Sequence, residues 1–108
     1  MRAVQQGDVR IRLHKGPLPK GATRLDHTIL AQGEATGHRH QVIGENVTVW
    51  LYTNLLYIDA PAGAVITHNT HKPISVPATE PGKMHEVEIV REYEHFQEEA
   101  RGVRRVVD

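Results

Sequence analysis

His38 and His40 stand two residues apart in GEATGHRHQV, and His68 and His71 stand three apart in ITHNTHKP. Side chains two apart on a β-strand share a face, so His38 and His40 can converge on one ion, with Thr36 and Val42 in line with them. His68 and His71 cannot share a strand face. Asn69-Thr70 followed by Pro73 is turn-compatible sequence, however, and a turn would bring both rings to one side. Neutral imidazole nitrogens bind zinc at about 2.0–2.1 Å, and three or four of them suffice for a site. The cofactor such a set would hold is a divalent ion: zinc, iron, manganese or nickel. Three ligands leave positions for a substrate, whereas four close the shell and make the ion structural.

The chain has no cysteine, which removes disulfides, thiolate zinc sites, iron–sulfur ligation and thiol nucleophiles together. Any metal must be held by nitrogen and oxygen. Eight histidines in 108 residues exceed ordinary usage, which raises the weight of the two pairs. His14, His27 and His95 have no partner nearby in sequence and read as surface residues. His85 shares a strand face with Val87 and Ile89. It reads first as a satisfied core histidine, with a fifth ligand or a general base as the alternatives. Glu45, Asp59 and Glu80 are the acids expected within reach of a site.

The elements that would carry these residues are strands. Val9, Ile11 and Leu13 alternate with polar residues, a period of two. KGPLPKGA is a loop, a second strand runs near Thr28 to Ala31, and a third carries His38 and His40. VTVWLY and LLYIDA read as a hairpin around Thr53-Asn54. PAGAVITH turns into a further strand, PISV is a short one, and MHEVEIVREYE alternates again after the PATEPG turn. Short strands with turn chemistry between them predict a single domain, residues 1–108, that is an all-β barrel or sandwich. EHFQEEARGVRRV, near the carboxyl end, is the one stretch of helical composition, and Gly102 limits it to two or three turns.

At this point the sequence resembles the cupin family. Gly37-His38-Arg39-His40 followed by Glu45 reproduces the H-x-H-x4-E spacing of the family's first motif, and Pro61 to His68 is similar to its second. The resemblance covers about residues 33–90. It implies a small β-barrel with His38, His40, Glu45 and His68 as ligands at its mouth. The second histidine comes one residue late, and His71 stands where the family has asparagine, so the fourth ligand is open between Glu45 and His71. The local turn that His71 needs places it slightly ahead.

Thirteen basic residues balance thirteen acidic ones, so no long-range field steers the chain to nucleic acid or to an anionic membrane. No window is apolar enough to span a bilayer and MRAVQQGDVR has no apolar leader, which makes the cytoplasm the expected location. Ser75 has no nucleophile elbow around it, and the glycines form no phosphate loop. Three functions remain: a small metalloenzyme acting on a small molecule, a ligand-binding barrel with a structural ion, and a metal-free accessory protein. Exposed sheet edges in so small a barrel predict a homodimer.

Overall fold

The computed structural model describes residues 3–32 and 38–90, and these form ten strands in two antiparallel sheets. The strands are β1 (Ala3–Gln6), β2 (Val9–Gly16), β3 (Thr23–Arg24), β4 (Ile29–Gln32), β5 (Arg39–Ile43), β6 (Thr48–Tyr52), β7 (Leu55–Asp59), β8 (Ala64–Thr67), β9 (Ile74–Val76) and β10 (Met84–Ile89). One sheet runs β1-β2-β10-β7-β6-β3 and the other β4-β5-β8-β9. The expected all-β architecture is what the chain adopts. The helix expected near the carboxyl end and His95 lie outside the described residues.

Alternation explains why these segments are strands. In β2, Val9, Ile11 and Leu13 are buried while Arg10, Arg12 and His14 are less so. The buried set joins Val42, Val49, Ile58, Ile66, Val76 and Val87 in one core between the sheets. On the outer side of the larger sheet, Arg12 pairs with Glu86 at 3.0 Å and with Glu88 at 3.1 Å across β2 and β10. That cross-strand ladder covers Glu86, so three consecutive β10 residues, His85 to Val87, are buried. Tyr57 lies opposite Glu86 in the register.

The pairings are nested. β6 pairs β7, β5 pairs β8, and β2 pairs β10, so the chain is a long hairpin folded over on itself. Thr53, at a φ of 54°, turns the innermost hairpin, one of the few places where a non-glycine residue takes a left-handed conformation. Two strands were not legible: β1, whose AVQQ lacks apolar alternation, and the two-residue β3.

At the end of β5, Gly44 lies against the turn that leads into β8. A Cβ built there would sit 2.6 Å from the Gly63 carbonyl oxygen and 2.9 Å from Val47 Cγ2, and the first of these is backbone that cannot swing aside. Gly44→Ala is therefore expected to destabilise the fold by about 2 kcal/mol, as an overpacked site does. Urea unfolding of the variant measures this, and an unchanged midpoint would show that the two turns are free to separate.

Candidate metal centre

The end of β5 opposite Gly44 carries the histidines. Register partners Gln41↔Thr67 and Val42↔Ile66, extended one step, set His40 opposite His68. Their ring centroids are 4.3 Å apart. Beyond β8 the chain bends at Asn69 to His71, because His68 Nδ1 accepts a hydrogen bond from the Thr70 amide at 3.0 Å. The bend returns His71 to within 4.6 Å of His68 and 5.9 Å of His40, and His38 stands 5.7 Å from His68. All four histidines singled out in the sequence thus meet at one end of the smaller sheet. Asn69 Oδ1 accepts from the Arg39 amide at 3.3 Å and ties the bend back to β5.

Two imidazoles bound through nitrogen to one ion at about 2.1 Å hold their centroids roughly 4.5–5.5 Å apart. The observed separations bracket that range, so the ring positions suit a shared ion. Donor directions are a separate matter. Among the described residues no group of three or more His, Asp or Glu side chains has its donor atoms arranged to hold a metal as they stand. One cause is legible at His68: with Nδ1 accepting from Thr70, the neutral ring carries its proton on Nε2. For Nε2 to bind an ion, the ring must release Thr70 and shift its proton. Residue type and ring spacing therefore suit an ion, while the donor atoms do not converge on one as they stand.

Burial and neighbouring imidazoles disfavour the charged form of two of the rings, His40 and His68. His40 is 7% exposed. Burial, followed by the neighbouring His68 and His71, pushes its pKa down to about 4 against the opposing pull of Asp8. His68 is also lowered, by burial first and then by His71 and His38.

Glu45 is not in the cluster. It lies exposed beyond the far end of β5, on the Gly44 side, with about 10 Å of strand between His40 and Ile43 before the turn begins. The other expected acids are also elsewhere. Asp59 accepts from Thr79 Oγ1 at 2.8 Å, and Glu80 pairs with Lys83 at 3.5 Å on the surface. His85 is 0% exposed and fully satisfied: its Nδ1 accepts from the His14 amide at 3.1 Å and its Nε2 donates to the Pro77 carbonyl at 2.8 Å. It is the core histidine that its strand face predicted. His14, expected at the surface, is instead half-buried with its ring 4.9 Å from that of His85, because β10 pairs alongside the end of β2. His27 is exposed, as expected.

Sequence reasoning missed three residues at the site, the last of β1 and the two of the turn that leads into β2. Gln6 is 3% exposed, and its Oε1 lies 2.8 Å from His40 Nδ1. Gly7, at a φ of 56°, packs so closely that a Cβ would sit 2.7 Å from His71 Nε2 and 3.3 Å from His40 Cε1. Asp8 supplies, among the described residues, the carboxylate whose charge is felt at His40. The one available signal was GlnGlnGlyAsp, a turn sequence just before a clear strand.

Two clefts open on the described surface. One of about 300 Å³ is lined by Arg39, Gln41, Thr67, His68 and Asn69, beside the cluster. The other, of about 390 Å³, lies between β3 and β6 and is bordered by Arg24, Asp26, His27 and Thr48, away from the paired histidines. No described helix is long and apolar enough to cross a membrane.

Residues 5–83 match a family model described as "Domain of unknown function (DUF8820)", a span that includes Gln6 and both histidine pairs. No curated protein and no solved structure matches the chain.

Proposed function

We propose that this chain, which belongs to the DUF8820 family, is a cupin-like divalent-metal-binding protein whose ion is held by His40, His68 and His71, with His38 as the fourth imidazole. The observation that carries the reading is the meeting of four rings, from two segments thirty residues apart, at centroid separations of 4.3 to 5.9 Å. Packing so many histidines together is unfavourable once they are protonated, and the lowered pKa values of His40 and His68 leave them neutral near pH 7. A neutral imidazole needs to shed no proton before it binds.

When bound, the ion would polarise an oxygen of a small molecule or bring the pKa of a bound water down toward about 7. The chain's own part is to orient and admit. The cleft beside His68 offers Arg39, Gln41, Thr67 and Asn69 as polar contacts for a small molecule next to the cluster.

Metal content of untagged protein, with melting in the presence of zinc, manganese, iron(II) or nickel, tests the reading. At an ion concentration 100 times Kd, binding stabilises the folded chain by about 2.7 kcal/mol, a rise in Tm of at least about 10 °C for a domain of this size. Protein that contains no metal and melts at the same temperature with all four ions would overturn the proposal.

A further inference from the structure

The Gln6 side chain crosses from β1 to the histidines, and its amide leaves no freedom in how it is oriented. Nε2 donates to the Ile66 carbonyl at 2.9 Å and to the Lys72 carbonyl at 2.7 Å, which uses both of its protons. A flipped amide would set its oxygen against two carbonyl oxygens, so the nitrogen and oxygen positions follow from the partners alone. The remaining atom, Oε1, is 2.8 Å from His40 Nδ1. An amide oxygen has no proton to give, so Nδ1 must donate. A neutral imidazole has one N–H proton, and with it on Nδ1 the lone pair is on Nε2.

We propose that Gln6 is the positioning residue of the histidine cluster: it holds His40 in the Nδ1–H tautomer with Nε2 left as the metal-binding nitrogen, and ties the bend carrying His68 and His71 to β1. Its use for metal rests on the function proposed above, whereas the tautomer itself does not. The two roles come from the two ends of one amide. The oxygen sets His40, and the nitrogen fixes Ile66, two residues before His68, and Lys72, one residue after His71. A side chain that hydrogen-bonds the non-binding nitrogen of a ligand imidazole typically contributes 10- to 100-fold to metal affinity. A neutral amide in that position also leaves His40 an uncharged ligand, since it has no negative charge with which to hold the ring protonated.

Nitrogen-15 NMR of the metal-free full chain at neutral pH reads the tautomer directly, through the separate shifts of Nδ1 and Nε2. The expected result is an Nδ1–H tautomer for His40, in contrast to the Nε2–H form expected for His68 and His85. Gln6→Glu keeps an acceptor for Nδ1 but cannot donate to the two carbonyls, so it should retain the His40 tautomer. Gln6→Leu should release it to a mixture and lower zinc affinity about 10- to 100-fold. An Nε2–H tautomer in the wild-type chain, or an unchanged tautomer in Gln6→Leu, would overturn the assignment. Should Gln6→Leu not fold, the wild-type and Gln6→Glu spectra decide it. The expected tautomer in a chain that takes up no zinc would instead remove the metal reading and leave the tautomer lock standing.

Discussion

His71→Ala will weaken zinc binding about 100-fold, His40→Ala will do at least as much, and Glu45→Ala will leave it within a factor of about two. The size follows from the binding free energy of a structural zinc in small peptides, about 10–16 kcal/mol shared among four ligands, or about 3 kcal/mol for each. The three variants separate two accounts that the sequence left open. Glu45 completes the spacing of the cupin motif that the sequence resembles, but it lies past the end of β5 away from His68. His71 departs from that motif, yet its ring is 4.6 Å from His68. His71 is the cleaner of the two histidine variants because it is exposed, so its loss removes a donor with little of the core. His40→Ala also leaves the buried Gln6 oxygen without its partner, which adds a folding cost that His71→Ala avoids. Calorimetric titration of the three proteins is the measurement. Equal affinities for wild type and His71→Ala, with a loss in Glu45→Ala, would move the site to the other end of the strand.

Acid will destabilise the metal-free chain once the pH falls below about 6.5. The folded-state pKa of His40 is about 4 and that of His85 is also lowered, His85 chiefly by burial. In the unfolded chain both return to about 6.5. Between those values the unfolded state binds protons that the folded state refuses, so stability is whole above pH 6.5 and declines as pH falls. For His40 alone the loss is about 2 kcal/mol by pH 5 and about 3 kcal/mol by pH 4. Domains of this size have a stability of about 5–15 kcal/mol, so the effect is a large part of the whole. Urea unfolding at pH 7 and pH 5 reads it directly, and equal unfolding free energies at the two pH values would show that His40 is solvated in the folded chain.

How much could be read beforehand depended on whether the signal was local. The strands of β2, β6, β7 and β10 announce themselves by alternation, and the Thr53-Asn54 turn by its position between two β-branched runs. The four histidines were legible because their spacing is short-range: two on a strand, two across a bend. Gln6 was not legible, since its three hydrogen bonds reach residues 34, 60 and 66 positions away and nothing in AVQQ distinguishes it from an exposed glutamine. Gly7 is informative only once His71 is beside it. His14 misled for the same reason: its neighbour His85 is 71 positions away. Glu45 misled in the opposite way, because a motif spacing fixes the number of residues and not the direction in which the strand carries them.

The contact between Gly44 and the Gly63 carbonyl has a consequence for strand slippage. β5 and β8 are short, and their ladder alone would tolerate displacement by two residues, which restores the hydrogen-bond pattern and keeps Val42 on an inner face. Such a slip would slide His40 off His68 and separate the pairs. Only a residue without a Cβ fits against Gly63, and a two-residue slip would present Val42 or Asn46 there instead, so the alternative is blocked by steric exclusion. A hydrogen atom in place of a methyl group, about 13 Å along the strand from His40, thereby selects which histidines face each other.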